Sequence, residues 1–345
     1  PTVGRVAGAI VLAVWGSLLP YFLLACADSI QLAFPDWNLK TWQAALATAA
    51  TLILPLQLRT LHHISTLCLP SAVSVIVAIL LILLSISFDQ RTVIAPAPLW
   101  PADGISFVDF FGNVGAFVFA FMGHSMYLEV MREMVDSREF GSRALPVATL
   151  VMVVCYTGTS VAGVLAYGAD VDGFLPSSMS PGLCKRWVGF LLAFHTLVTY
   201  LVTGQPLHRA FHDYFFPNTV DEQSLRASLH WLMITVGQLM LSVLLAIAVP
   251  FFADLQGLLG SLTGAPIMFG FPAYFFLRAC SLQGVHIGWA DYLLCGLFLF
   301  VLTPLFMVAG TCSEMADIIS QWQAEVQSHT VLNSAAPASA TGPPS

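Results

Sequence analysis

A glycine and a histidine lie inside an apolar segment of membrane-spanning length, Phe111–Met134, whose sequence is FGNVGAFVFAFMGHSMYLEVMREM. Because glycine permits non-helical backbone dihedrals, Gly112, Gly115 and Gly123 could let a helix break here. A broken helix exposes backbone N–H and C=O groups that can bind an anionic group or a cation. His124 could also donate a hydrogen bond to a carboxylate and titrate near physiological pH. The alternative is a histidine that only packs, beside glycines that serve close helix contact, and the segment alone favours neither.

Two further ionisable residues inside apolar segments are candidates, together with His124, for coupling to an ion. Glu129 lies near the end of the same segment, where Arg132 would neutralise it from one helical turn later, so a structural and a coupling role are both open. His195 is followed by polar residues that share one helix face, namely Thr196, Thr199, Tyr200 and Thr203. Such a face either lines a cavity or joins two helices, and the second is the commoner case.

The composition places these residues in a helical membrane bundle. Hydrophobic residues make up 57% of the chain and charged residues 9%, with a mean hydropathy of +0.82, whereas about a quarter of the residues of soluble domains are charged. In lipid only helices and closed barrels satisfy their backbone groups, and the sequence lacks the short alternation of barrel strands. We therefore predict an all-α, polytopic bundle of about nine transmembrane helices. The runs of sufficient length are Ala7–Leu32, Trp42–Leu58, Leu69–Phe88, Ser106–Met131, Leu145–Tyr167, Val188–Leu207, Leu229–Phe252, Leu255–Leu277 and Gly288–Thr311.

The basic residues and the chain ends predict the organisation of this bundle. With a cytoplasmic N-terminus, eight of the 12 Lys and Arg residues lie inside, as the positive-inside rule favours. Residues 1–315 then form a transmembrane domain, and residues 316–345, which end in NSAAPASATGPPS, form an external and largely disordered tail. The stretch VPFFAD, Val249–Asp254, leaves almost no loop and predicts a tight hairpin between the seventh and eighth runs. The chain opens on Pro1 almost directly before an apolar run, which is typical of a fragment.

The sequence contains no motif of an enzyme and no spacing of a metal site. A Walker A run, HExxH and GxSxG are all absent. The seven cysteines are scattered, without the spacing of metal ligands. The acidic net charge and the membrane class exclude a nucleic-acid partner. We expect no enzymatic activity, no metal and no cofactor, and the lipid bilayer as the surroundings of the chain.

Three stretches together resemble the amino acid/auxin permease family, the eukaryotic amino acid transporters within the amino acid–polyamine–organocation superfamily. They are Phe117–Met134, with its phenylalanine-rich run before Gly-His, Val249–Arg278, with Pro-x-Phe-x-Asp, Leu-x-Gly and a late proline, and Thr199–Phe215. The resemblance implies a LeuT-like inverted-repeat fold. Aligned on the Gly-His motif, the first run of this chain corresponds to the third helix of the family. The resemblance therefore implies a partial domain, truncated at its N-terminus, that lacks the first two helices.

The resemblance also implies a substrate site at the broken helix. The segment Phe119–Ser125 would be unwound, with Gly123 and His124 closest to the ligand. From the geometry of such a site we infer that Tyr21 and the Thr199–Tyr200 face line the opposite wall. The predicted substrate-binding residues are Phe119, Phe121, Gly123, His124, Ser125, Tyr21, Thr199 and Tyr200. The predicted ion-coupling residues are His124, Glu129 and His195.

The function that the resemblance implies is secondary active transport of amino acids, or of a related carboxylate such as an indole acid, by alternating access. The coupling ion is H+ or Na+, with the proton favoured, and the membrane is the plasma membrane or a vacuolar or endolysosomal membrane. Two alternatives belong to other classes. The chain could be a nutrient-sensing member that does not transport, or the product of a truncated and non-functional gene.

Overall fold

The structure is a computed structural model that describes residues 2–59, 61–88, 106–168, 171–248 and 252–335. These residues form helices joined by short connections, and the described ranges contain no β-strand. The α-helices are α1 (Thr2–Ala33), α2 (Thr41–Leu52), α3 (Leu61–Phe88), α4 (Phe107–Ala120), α5 (Tyr127–Glu133), α6 (Leu145–Tyr167), α7 (Leu183–Phe215), α8 (Leu225–Ala248), α9 (Phe252–Leu259), α10 (Phe271–Gln283), α11 (Trp289–Leu297), α12 (Thr303–Leu305) and α13 (Thr311–Ala335). The prediction of an all-α chain is confirmed.

Several of these helices follow one another without a loop, because 3-10 or π-helical turns connect them. A 3-10 segment, Gly123–Met126, lies between α4 and α5. Two π-helical segments, Gly260–Gly264 and Pro266–Gly270, lie between α9 and α10. Two more, Phe298–Leu302 and Phe306–Gly310, join α11, α12 and α13. Each set forms one long, interrupted rod.

Within the described ranges, eight helical rods are long and apolar enough to cross a membrane, which confirms the polytopic helical bundle. They correspond to all the predicted runs except the second, Trp42–Leu58. That run folds as the 12-residue α2 followed by a 3-10 turn, Pro55–Gln57. Pro55 has no N–H to continue the α-helical bonding pattern. At 1.5 Å per residue α2 is about 18 Å long, less than the hydrocarbon thickness of a bilayer.

The packing centre of the bundle is the contact of α1 with α7, to which α2 and α8 add their apolar faces. Leu19 and Leu23 on α1 and Leu207 on α7 are completely buried. Gly189 lets the two backbones approach closely, since a Cβ at this position would lie 2.6 Å from the Ala33 nitrogen. By contrast, most apolar side chains of α6 face outward, Val147, Leu150 and Leu165 among them. An outward apolar face is what a helix in contact with lipid requires.

The C-terminal segment is helical over its described part. Residues 316–335 continue α13 as far as Ala335, and the division into a transmembrane domain and an external tail stays a prediction. The stretch DIISQWQAEVQ from Asp317 contains no glycine or proline, and the Trp322 indole donates a hydrogen bond of 3.2 Å to the Ala248 carbonyl. Residues 336–345 lie outside the described residues. The tight hairpin was predicted at Val249–Asp254. Residues 249–251 of this stretch also lie outside the described residues, and Phe252 begins α9.

Candidate functional site

The helix that carries the Gly-His pair is interrupted at that pair. The α-helical part ends at Ala120. The Phe121 N–H still donates to Phe117 O at 3.3 Å, but the two N–H groups after it bond to nearer carbonyls than an α-helix would use. Met122 N–H donates to Phe119 O at 3.0 Å, and Gly123 N–H donates to Phe121 O at 2.8 Å. The chain then runs through the 3-10 segment into α5. The interruption coincides with the segment that the sequence predicted to be unwound.

Two buried polar atoms lie in this interruption. They are His124 Nδ1 and Ser125 Oγ, and neither has a hydrogen-bond partner among the residues that the structure describes. The Ser125 side chain is 7% exposed. A buried polar group that bonds neither protein nor water is costly, so polar atoms of this kind favour a site that receives a ligand or ordered water.

Aromatic rings from two other helices surround the interruption. The ring of Tyr21 on α1 lies edge-on to Phe119, with 4.7 Å between the ring centroids. The ring of Tyr156 on α6 packs against Phe121 at 5.5 Å in the same manner. Phe119 and Phe121 were predicted as site residues, and so was Tyr21. Tyr156 was not, because nothing in its own segment distinguishes it from an ordinary membrane tyrosine.

The residues beside the Gly-His pair fix its position. The His124 ring lies 4.8 Å from the ring of Tyr127. A Cβ at Gly123 would lie 3.1 Å from the same tyrosine ring, so glycine leaves space for it. Met122 is buried, and its sulfur points toward Gly264 in the first π-helical segment after α9. The interruption is therefore anchored on the interrupted rod formed by α9 and α10.

Of the predicted opposite wall, Thr199 and Tyr200 have their hydroxyl groups engaged elsewhere. Tyr200 is 1% exposed and donates a hydrogen bond of 3.2 Å to Ser242 Oγ on α8. Thr199 donates to the His195 carbonyl of its own helix at 2.8 Å. For Tyr200 the structure favours the helix-joining alternative. A place for these two residues in the substrate wall stays a prediction.

The remaining ion-coupling candidates have partners away from the interruption. His195 Nδ1 lies 2.9 Å from Ser71 Oγ, which joins α7 to α3. Glu129 forms an ion pair of 2.7 Å with Arg132, as the spacing of three residues predicted. Both contacts give these side chains a structural role, and their predicted part in ion coupling stays a prediction.

The other two glycines of the segment serve close helix contact. A Cβ at Gly112 would lie 2.7 Å from Ser313 Oγ, and one at Gly115 would overlap Ser261 Oγ. The two interpretations of the glycines therefore both apply, at different positions. Gly123 belongs to the interruption, while Gly112 and Gly115 form the surface on which α9 and α13 pack.

An apolar bundle of long helices, one of them broken beside two polar side chains with buried polar atoms, defines the class of polytopic helical membrane proteins. Within it, the family model described as transmembrane amino acid transporter protein matches residues 5–314, and the chain belongs to that family. This family consists of transporters and not of enzymes. It agrees with the resemblance seen in the sequence.

Individual relatives are distant in sequence. The chain is similar to amino acid transporter AVT3A of Arabidopsis thaliana, with 25% identity over 65% of this chain and 48% of the relative. It is also similar to lysine histidine transporter-like 1 of the same plant, with 23% identity over 62% of this chain and 47% of the relative. The chain thus spans about half the length of these relatives. No solved structure matches it.

Proposed function

We propose that this chain takes part in the transport of amino acids across a membrane and binds its substrate at the interrupted helix between α4 and α5. The single observation that carries the proposal is the pair of buried atoms without described partners, His124 Nδ1 and Ser125 Oγ, at the interruption. Membership of the amino acid transporter family supports it.

The chemistry of the interruption suits the two charged groups that every amino acid shares. His124 and Ser125 can each donate a hydrogen bond to the substrate carboxylate, and hydrogen bonds to charged groups are the stronger kind. Met122 N–H bonds to Phe119 O in place of Val118 O, the acceptor that an α-helix would use. The last carbonyls of α4 carry partial negative charge and can accept hydrogen bonds from the substrate ammonium group.

The surroundings of the interruption suit a substrate side chain that is not charged. Phe119, Phe121, Tyr21 and Tyr156 present ring edges and faces. The carboxylate of Glu129, in the adjoining α5, is already paired with Arg132. Transport by alternating access, coupled to a cation that is either H+ or Na+, completes the proposal.

Uptake into proteoliposomes tests the function. The purified chain is reconstituted, and uptake of radiolabelled alanine, leucine, lysine, glutamate and indole-3-acetate is measured with a pH gradient, with a sodium gradient and with neither. We expect saturable uptake of at least one neutral amino acid, increased by one of the two gradients. Absence of both uptake and equilibrium binding for all five compounds, in protein shown to be folded, would contradict the proposal.

A second histidine variant shows whether a loss of uptake comes from the proposed site or from the loss of any histidine. His124→Ala should reduce uptake strongly, because it removes a donor at the interruption. His286→Ala replaces an exposed histidine in the connection between α10 and α11 and should leave uptake unchanged. Equal losses in both variants would argue against a site at His124.

A further inference from the structure

A second polar cluster lies inside the bundle, where α4, the rod formed by α9 and α10, and the start of α13 meet. The helix surfaces there are lined with glycines, which let polar side chains sit directly against a neighbouring backbone. A Cβ at Gly257 would overlap the Glu314 carboxylate. A Cβ at Gly115 or at Gly310 would overlap the Ser261 hydroxyl. The Glu314 carboxylate and the Ser261 hydroxyl therefore occupy space that is open only because these positions are glycine.

The Glu314 carboxylate is buried within a membrane-spanning rod. The residue is 7% exposed and lies in the first turn of α13, inside the span Trp289–Gln323. Its Oε1 is also 3.3 Å from the position that a Cβ of Gly112 would take, so the carboxylate faces both α4 and α9. Ionisable side chains buried in a membrane bundle are expensive, and in membrane proteins they commonly mark ion or substrate pathways.

Two hydroxyl groups about one helical turn from Glu314 are a second observation that favours a ligand, since Ser261 follows Gly257 by four residues and Thr311 precedes Glu314 by three. Ser261 is completely buried, and its Oγ has no hydrogen-bond partner among the described residues. Thr311 is half-buried, but its Oγ1 atom is buried and also has no hydrogen-bond partner among the described residues; it lies one helical turn before Glu314 and therefore on the same face of α13. At the edge of the cluster, Ser313 Oγ donates to Asp109 Oδ1 at 3.4 Å, which brings a second carboxylate near.

We propose that Glu314, Ser261 and Thr311 form a binding site for a sodium ion. All the groups are oxygens, and hard cations prefer oxygen ligands. Backbone carbonyls can complete the shell, since Gly257 O and Phe111 O lie beside the Ser261 hydroxyl, at 3.0 and 3.2 Å from the Cβ positions of Gly115 and Gly310. A single deeply buried carboxylate matches a monovalent cation, whereas calcium sites usually contain several carboxylates.

The site is separate from the interruption at His124, so ion binding can be measured without any amino acid. The purified chain in detergent is heated in sodium, potassium or choline chloride at equal ionic strength, and unfolding is followed by tryptophan fluorescence. Equilibrium binding of radioactive sodium is measured in parallel. We expect sodium to raise the unfolding midpoint saturably, because a ligand that binds only the folded state stabilises it.

Three variants and one control connect the effect to these residues. Glu314→Gln should abolish the sodium-dependent rise in the midpoint. Thr311→Val and Ser261→Ala, which remove one ligand each and leave the carboxylate in place, should weaken sodium binding by roughly tenfold or more, the scale on which metal sites lose affinity when their support is removed. Glu139→Gln removes an exposed carboxylate paired with Arg143 and should change nothing.

The proposal fails on either of two results. One is a wild-type chain whose unfolding midpoint does not depend on sodium and which binds no radioactive sodium. The other is sodium binding that survives both Thr311→Val and Ser261→Ala unchanged. If Glu314→Gln does not fold, the two hydroxyl variants still decide the question. Because no amino acid is present, neither result bears on the proposed substrate site.

Discussion

The ring of Tyr21 lies 4.7 Å from the ring of Phe119 and at 66° to it, so that α1 touches α4 one residue before α4 ends. Tyr21 belongs to the helix at the packing centre of the bundle, while Phe119 belongs to the helix that breaks. This edge-to-face contact connects the rigid α1–α7 core with the interruption at which we place the substrate.

Phe119→Ala should therefore damage both stability and substrate binding. The variant loses the ring contact and part of a buried surface, which we expect to lower the free energy of unfolding by about 1–3 kcal/mol. Thermal unfolding in detergent and equilibrium binding of a radiolabelled amino acid measure the two effects. Phe117→Ala is the matched control, because Phe117 is 63% exposed on the same helix and should tolerate the change. Equal effects of the two variants would show that the contact between Tyr21 and Phe119 contributes no more to stability or substrate binding than an exposed phenylalanine does.

Gly115→Ala should destabilise the chain through the contact of α4 with α9. The added methyl group would overlap Ser261 Oγ and lie 3.0 Å from the Gly257 carbonyl, and overpacking of this kind costs about 1–3 kcal/mol. Gly237→Ala is the control, since no atom lies within 4 Å of the added carbon in the middle of α8. A lower unfolding midpoint for the first variant and an unchanged or higher one for the second is the expected pattern. An unfolding midpoint for Gly115→Ala no lower than that of Gly237→Ala would contradict it.

A double-mutant cycle should show that Tyr200 joins α7 to α8. Its hydroxyl donates to Ser242 Oγ, and hydrogen bonds between membrane helices are worth about 0.6 kcal/mol on average. Tyr200→Phe, Ser242→Ala and the double variant are compared by thermal unfolding, with a coupling free energy of about that size expected. Tyr200→Phe should bind amino acids as the wild type does. A large loss of amino acid binding in Tyr200→Phe, without coupling to Ser242, would instead support the prediction that Tyr200 lines the substrate site.

Glu129→Gln should have little effect on stability. The Arg132 side chain of this ion pair is 72% exposed, and exposed pairs contribute about 0–1 kcal/mol. Gradient-driven uptake is the more informative measurement, because a structural carboxylate should leave it unchanged. If Glu129→Gln lost gradient-driven uptake but still exchanged substrate across the membrane, the prediction that Glu129 is an ion-coupling residue would be supported.

The features that could be predicted from the sequence depend mainly on residues that are close to one another along the chain. The apolar runs fix which segments can span a membrane, and the spacing of Glu129 and Arg132 fixes their ion pair. The Gly-His pair indicates the interruption because glycine permits a break in the helix and an ionisable histidine is rare inside a membrane segment. Pro55 explains why α2 is short, but the apolar run around it is long enough that the sequence predicted a spanning helix.

What could not be predicted depends on contacts between segments that are distant in sequence. Tyr156 reaches Phe121, and Ser71 reaches His195, only because α6 and α3 pack where they do. The Thr199–Tyr200 face fits a cavity wall and a helix contact equally well until its neighbour Ser242 is known. The hydrogen bond from the Trp322 indole to the Ala248 carbonyl, at the end of α8, is a contact of the same kind that composition does not reveal.

The most direct test of the account is equilibrium binding of an amino acid to the purified chain with and without His124. The ligand is the member of the uptake panel that the wild-type chain binds most tightly, and thermal unfolding confirms that each variant is folded. We predict that His124→Ala weakens binding by roughly tenfold or more, since a hydrogen bond to a charged group contributes about 1.5–3 kcal/mol. His286→Ala should bind as the wild type does. A folded His124→Ala variant with wild-type affinity would contradict the account and leave His124 as a residue that only packs.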